Sequence, residues 1–201
     1  MYGWISKFIL LNSKGRFEVM KVNNKEFLDT IHSDLLATKE LVYTPCKFDW
    51  SKPILEPQNA DYGAYLFNLN SLTIRFRVAK ITPTKIGQFV TLWERIGDGP
   101  IQPYDISDPA DLFVISTRKE NHFGQFVFPK AILGNQDILS NKGEGGKRAL
   151  RVYPPWDNPT SRQAQKTQKW QLEYFLELPA IKPADYLHAQ TLYGFPVNRT
   201  V

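Results

Sequence analysis

An alternating stretch in the first half of the chain constrains the fold most. The segment YGAYLFNLNSLTIRFRVAK, residues 62–80, contains two runs of alternating apolar and polar residues around Asn70-Ser71. This pattern predicts a β-hairpin with its turn at that pair. Successive side chains of a strand point to opposite faces, so Arg75 and Arg77 share the face opposite the apolar residues. We therefore expect both arginines to point outward.

Three further segments have helical patterns. Apolar residues recur at helical spacing in residues 25–38, in residues 82–95 after a capping Thr82, and in residues 160–178. The runs LFVIST and GQFVFPKAIL predict a second pair of strands, and ALRVYPPWDNP predicts a short strand broken by prolines. The order helix, hairpin, helix, strands, strand, helix predicts one α+β domain. Its central sheet is expected to be mixed or mostly antiparallel and flanked by helices.

The opening MYGWISKFILL is apolar but much shorter than the roughly 20 residues of a membrane span. Two interpretations stay open: a packed N-terminal strand, or an extension over residues 1–19 with the native start at Met20. No small-residue cleavage site follows. Cys46 is the single cysteine of the chain, so it has no partner for an intrachain disulfide. We therefore expect a reducing, cytoplasmic setting and no membrane partner.

Positive charge is concentrated in two segments. The whole chain has a net charge of +5, whereas residues 72–95 carry +4 and residues 142–170 carry +5, which leaves −4 on the rest. Two basic segments on an otherwise acidic chain predict a local anion-binding surface.

The basic residues fall into groups that suit nucleic-acid binding, which needs positive charge along a groove together with aromatic rings. Lys80 and Lys85 lie where the helix predicted over residues 82–95 begins. Lysines there oppose the helix dipole, and a bound anion would relieve the conflict. Tyr153 and Trp156 are candidate stacking platforms. The predicted contacts are Arg75, Arg77, Lys80, Lys85, Lys147, Arg148, Arg151, Trp156, Arg162, Lys166 and Lys169.

Each of these features also has a simpler interpretation. Exposed strand arginines often serve solubility, and the helical stripe of Arg162, Lys166 and Lys169 resembles an ordinary solvated face. Tyr153 and Trp156 are equally suited to packing against the proline turn. The sequence leaves these alternatives open.

Four segments in this order resemble the MepB-like family: FRVAKITPTKIGQFVTLWER, GQFVFPKAIL, KRALRVYPPWD and QAQKTQKWQ. The resemblance covers about residues 25–178, and residues 1–201 are interpreted as a single MepB-like domain. It implies a bacterial cytosolic protein, encoded in some species beside a multidrug efflux pump. It also implies a nucleic-acid-binding role on a core like that of the PD-(D/E)xK nucleases.

A nuclease of that type holds Mg²⁺ between an acid on one strand and an acid two residues before a lysine on the next. Lys80 ends the second strand of the hairpin, and Gln88 falls on the helix predicted after it. However, the position two before Lys80 is Val78, which cannot bind a metal. In the second strand pair, Phe128 stands two before Lys130. We predict no catalytic or metal-binding residue.

Three hypotheses follow. The first is a non-catalytic nucleic-acid-binding protein without a cofactor, whose contacts to the backbone give weak sequence preference. The second is a Mg²⁺-dependent nuclease or phosphodiesterase that gathers other acids, such as Asp61, Asp108 or Asp111, around Lys80. The third is a regulatory or scaffold protein whose basic face binds an acidic protein partner.

Overall fold

The structure is a computed structural model, and it describes residues 6–11, 17–22, 31–178 and 183–194. Its helices are α1 (Ser33–Thr38), α2 (Lys130–Asn135), α3 (Arg162–Gln171) and α4 (Pro183–Leu192). A π-helical turn, Lys39–Tyr43, continues α1, and 3-10 turns span Pro57–Tyr62 and Leu172–Tyr174. The strands are β1 (Ser6–Leu11), β2 (Phe17–Val22), β3 (Ile54–Leu55), β4 (Tyr65–Leu69), β5 (Leu72–Val78), β6 (Lys80–Thr82), β7 (Lys85–Thr91), β8 (Trp93–Arg95), β9 (Ile101–Pro103), β10 (Leu112–Lys119), β11 (His122–Pro129), β12 (Ala149–Val152) and β13 (Phe175–Leu178).

A six-stranded sheet forms the centre of the molecule, in the order β13-β11-β10-β5-β4-β3. Strands β5 and β10 run parallel, and the other neighbours run antiparallel. A second sheet has the order β12-β7-β6, and β1–β2 and β8–β9 form separate antiparallel pairs. The predicted α+β fold with a mixed central sheet and flanking helices is confirmed.

Both faces of the large sheet are covered. Strand β10 alternates strictly, with Leu112 and Val114 in one core and Phe113 and Ile115 in the other. Residues of α1 and α4 pack into the first core, whereas residues of β7, β12 and α2 pack into the second. Sheets covered on two sides bury their central strands. Strand β5, fourth of the six in the sheet, is buried over its residues 74–77.

The helix predicted over residues 82–95 is wrong, because this segment forms the β6–β7 hairpin and strand β8. The chain turns at Pro83-Thr84, and Lys80 pairs with Phe89 across the hairpin. Gly87 has a φ of +84°, which excludes a continuous α-helix through this position. Of the apolar positions that fitted a helical stripe, Val90 packs into the second core from β7, whereas Ile86 is exposed.

The other elements match the sequence more closely. The β4–β5 hairpin turns at Asn70, which has a φ of +51°, and the β10–β11 pair is where it was predicted. The helix predicted over residues 160–178 ends at Gln171, and its last residues form β13 at the sheet edge instead. Of the helix predicted over residues 25–38, residues 25–30 lie outside the described residues, and α1 begins at Ser33.

Within the apolar opening, Ser6–Leu11 forms β1, which pairs with β2, and residues 1–5 lie outside the described residues. A packed N-terminal strand and an extension over residues 1–19 both stay predictions. In the ranges that the structure describes, no helix is both long and apolar enough to cross a membrane.

Because the second face of the large sheet is covered, removal of a side chain from it should lower the stability of the protein strongly. Phe113→Ala should lower the free energy of unfolding by about 3–5 kcal/mol, because the ring is fully buried and its removal leaves a cavity. Ile54→Ala, at a residue that is 66% exposed, should change it by less than about 0.5 kcal/mol. Urea unfolding of both variants checks this, and equal effects would contradict the two-faced core.

Candidate nucleic-acid interface

Two predicted nucleic-acid contacts lie inside the protein. Arg75 is 5% exposed and Arg77 is 0% exposed. Both guanidinium groups donate to the carboxylate of Glu56, and Nη2 of Arg75 donates to Oδ2 of Asp108 at 2.7 Å. The prediction that these arginines point outward is wrong, because the second face of the sheet is covered. Their guanidinium groups are therefore directed at Glu56 and Asp108 rather than at solvent.

Tyr104 completes this buried network. Its hydroxyl accepts hydrogen bonds from Nη1 of Arg75 at 3.1 Å and from Nη2 of Arg77 at 2.8 Å. Burial raises the pKa of Tyr104, which keeps the hydroxyl neutral. The two guanidinium groups and the carboxylates of Glu56 and Asp108 balance in charge. The network is thus a neutral structural unit rather than an anion site.

The acids considered for a nuclease site have other partners. Asp108 pairs with Arg75, and Oδ2 of Asp111 accepts a hydrogen bond from the backbone N–H of Thr73 at 2.8 Å. Asp61 is exposed. Within the described parts of the chain, no group of three or more His, Cys, Asp and Glu residues is placed to hold a metal ion.

The lysine and the glutamine of that hypothesis are also placed differently. The Nζ atom of Lys80 lies 4.5 Å from the ring centroid of Tyr62, in a cation–π contact. Gln88 lies on β7 rather than on a helix, and its buried Nε2 donates to the carbonyl oxygen of Arg118 at 3.2 Å.

A concave surface that we call the basic cleft lies around the β6–β7 turn. It consists of three adjoining lobes that share Lys85. The tryptophan lobe, of about 390 Å³, is lined by Ile81, residues 83–87, Lys119, Trp156, Asp157 and Asn158. The middle lobe, of about 290 Å³, is lined by residues 84–86, Arg151, Tyr153, residues 159–161 and Ala164. The lysine lobe, of about 420 Å³, adds Gln136, Ile138, Lys147, Leu150, Gln163, Thr167, Trp170 and Gln171.

Strand β12 brings the two basic segments together at this cleft. It pairs antiparallel with β7, so that Arg151 lies opposite Phe89. From there Nη1 of Arg151 donates to the carbonyl oxygen of Gly87 at 2.9 Å, and Nη2 donates to Oγ1 of Thr82 at 2.7 Å. The same arginine therefore lines the cleft and ties the hairpin to β12.

A helix N-terminus does lie beside Lys85, but it belongs to α3. Ser161 caps this helix, with its Oγ accepting from the N–H of Ala164 at 3.2 Å. Both residues line the middle and lysine lobes. The partial positive charge of a helix N-terminus therefore adds to the charge of the side chains here.

The lining of the cleft is strongly cationic. Its charged residues are Lys85, Lys119, Lys147, Arg151 and Asp157. The carboxylate in this set lies in the tryptophan lobe, where it pairs with Lys119 at 3.1 Å. Among the residues that line the middle and lysine lobes, all of them in the described part of the chain, none is acidic.

The two aromatic candidates have different surroundings. The ring of Trp156 stacks on His122 with centroids 5.0 Å apart and meets Phe175 edge-on, so much of it is engaged in packing. Tyr153 is half-buried and lines both the middle and the lysine lobe. Its ring rests on the backbone at Gly87, where a Cβ atom would come within 2.6 Å of Cε1 of the tyrosine.

The structure thus divides the predicted contacts into three groups. Lys85, Lys147, Arg151 and Trp156 line the basic cleft. Exposed positions outside its lining hold Lys80, Arg148, Arg162, Lys166 and Lys169. The third group, Arg75 and Arg77, is buried. Lys119 was not among the predicted contacts; it reaches the cleft from the end of β10 and stands in no local sequence pattern that would reveal it.

Substitutions in the buried network of Arg75, Arg77, Glu56 and Asp108 should change the stability of the protein, although these residues do not line the cleft. Arg77→Met should lower the free energy of unfolding by about 3–5 kcal/mol, since it breaks the buried ion-pair network and leaves Glu56 with only one of its two guanidinium partners. Arg148→Met, at an exposed position, should change it by no more than about 0.5 kcal/mol. Chemical denaturation compares the two, and a loss below about 1 kcal/mol for Arg77→Met would contradict this role.

Comparisons with known proteins agree with this architecture. The model of the MepB-like family matches residues 56–177. A solved structure titled "Crystal Structure of MepB" is 35% identical, with a TM-score of 0.64, and the match covers 75% of this chain and 99% of that one. The bacterial homing endonuclease I-Ssp6803I aligns at 14% identity and a TM-score of 0.40, over 75% of this chain and 93% of that one. No curated protein matches the chain. By the family match and the identity to MepB, this chain belongs to the MepB-like family.

Proposed function

We propose that this protein binds nucleic acid through the basic cleft, without catalysing a reaction on it. The observation that carries the proposal is the meeting of Lys85, from the first basic segment, with Lys147 and Arg151, from the second, around the middle and lysine lobes. A phosphodiester backbone is the ligand that such a row of cations suits best.

The chemistry of the cleft favours contacts to the backbone over readout of bases. Gln171, which lies at its floor, has its amide committed, since Oε1 accepts from the N–H of Tyr153 and Nε2 donates to the carbonyl oxygen of Arg151. Lys85 and Lys147 are exposed, and an ammonium group donates to a phosphate of any nucleotide. Phosphate contacts position a nucleic acid but carry no sequence information, so sequence preference should be weak.

We also propose that the protein works in the bacterial cytoplasm. The resemblance to the MepB-like family implies a bacterial cytosolic protein, and the single cysteine, Cys46, is buried, which suits a reducing cytoplasm. The association with a multidrug efflux pump stays a prediction.

Removal of charge from the cleft tests the proposal. In fluorescence anisotropy with labelled oligonucleotides, Lys85→Gln and Lys147→Gln should each weaken binding. Each should also reduce the slope of log affinity against log salt by about 0.7 for a single strand or about 0.9 for a duplex, because one phosphate contact is lost. Lys47→Gln removes the same charge at an exposed position outside the cleft, and should leave the slope unchanged.

Three results would overturn this assignment. Absence of binding at low salt would exclude nucleic acid and favour an acidic protein partner. An equal effect of Lys47→Gln would move the contact away from the cleft. Mg²⁺-dependent cleavage of the same oligonucleotides on a denaturing gel would establish the nuclease alternative.

A further inference from the structure

We infer that the basic cleft selects unpaired nucleotides, with a base stacked on the ring of Tyr153 and the flanking phosphates on Lys85 and Lys147. The preferred ligand is therefore single-stranded nucleic acid rather than a duplex. This inference rests on the proposed function and concerns the same site.

The ring of Tyr153 lies among the cations of the cleft. Tyr153 lines both the middle and the lysine lobe, and Lys85 and Arg151 line the same two lobes. An aromatic ring between cations is the arrangement with which proteins hold single strands, since every base has a face that can stack and every linkage has a charge. Neither feature depends on the sequence of the bases.

Contacts within the protein already hold the ring of Tyr153 in place before a ligand binds. One side of Tyr153 lies on the hairpin at Gly87, whose missing Cβ leaves the room for it. The backbone N–H of Tyr153 donates to Oε1 of Gln171 at 2.9 Å, and Pro154 and Pro155 follow. A side chain that is already ordered loses little conformational entropy when a ligand binds.

Trp156 is the other aromatic residue that could stack on a base, and its surroundings suit that role less well. Trp156 is stacked on His122 and in edge contact with Phe175, so packing already occupies part of its surface. It also lies in the tryptophan lobe, where Asp157 offsets the charge of Lys119. The geometry therefore assigns the stacking role to Tyr153.

A duplex does not suit this surface. The middle and lysine lobes measure about 290 and 420 Å³, which is the size of a small-ligand pocket rather than of a double helix. Inside a duplex both faces of each base are covered by neighbouring bases, and a base reaches a tyrosine ring only after it is unstacked and unpaired, at a cost in free energy.

A second basic surface makes the inference open to test. Arg162, Lys166 and Lys169 form an exposed stripe on α3 that is not part of the cleft lining. A stripe of this kind would bind phosphates of either a single strand or a duplex. Tighter binding of the single strand than of the duplex would therefore indicate contact at the cleft. Equal binding of the two would indicate contact at the stripe.

The experiment compares three ligands with the wild-type protein and two variants, by anisotropy over a salt series. The ligands are a labelled single strand of about 12 nucleotides, the duplex of the same sequence, and a strand of the same length with abasic sugars. The variants are Tyr153→Leu and Tyr153→Phe, which differ in the aromatic ring. Near-identical thermal unfolding of the two is the control for folding.

Stacking on the tyrosine predicts that the wild-type protein binds the single strand about 5- to 150-fold more tightly than the abasic strand. It should also bind the single strand more tightly than the duplex. Tyr153→Leu should abolish both preferences with an unchanged salt slope, and Tyr153→Phe should retain them. The abasic comparison uses the wild-type protein alone, so it decides the matter even if a variant fails to fold.

The two ways of failing are distinct. Equal affinity for all three ligands, with Lys147→Gln still weakening each, would overturn the selection of unpaired bases and leave the proposed function standing. Absence of binding to any of the three at low salt would overturn both.

Discussion

The pairing of β12 with β7 is the interaction on which the cleft depends. It places Arg151 beside the β6–β7 hairpin, although residues 72–95 and 142–170 are far apart along the chain. Arg151 then fixes the hairpin with hydrogen bonds to the carbonyl oxygen of Gly87 and the hydroxyl of Thr82. Because these acceptors are uncharged, they hold the guanidinium group in place without an opposite charge beside it. The element that builds the cleft also makes it basic.

Arginines in this protein have two different roles, one in buried ion pairs and one in the lining of the cleft. The acceptors to which each arginine donates show which role it has. Arg75 and Arg77 donate to Glu56 and one of them also to Asp108, so their charge is cancelled inside the protein. Arg151 instead donates to uncharged oxygens at the edge of a concave surface. A pair of strand arginines in a sequence therefore says little about ligand binding until the carboxylates that reach them are known. In this chain Asp108 comes from a segment 33 residues away from Arg75.

Local patterns predicted those parts of the fold that local contacts determine. The β4–β5 hairpin follows from alternation and a turn at Asn70, and β10 and β11 follow from two apolar runs close in sequence. The helix prediction for residues 82–95 failed because the apolar positions there fit a helical period as well as a strand. The decisive residue is Gly87, whose φ is positive and whose missing Cβ leaves room for the ring of Tyr153. The placement of the strand arginines failed because coverage of the second face is a tertiary property. Of the four cations that line the cleft, Lys85, Lys147 and Arg151 were among the contacts predicted from the sequence. Lys119 lies at the end of β10, outside both basic segments, and gives no local signal.

The most direct test of this account is a map of where a nucleic acid touches the protein. Backbone amide chemical shifts, followed by NMR during titration with a short single strand, locate the contact without any substitution. The largest changes should occur at residues 84–87, 147, 151 and 153, which line the cleft. Changes confined to the stripe of Arg162, Lys166 and Lys169, or to the edge of the sheet at β3, would contradict it.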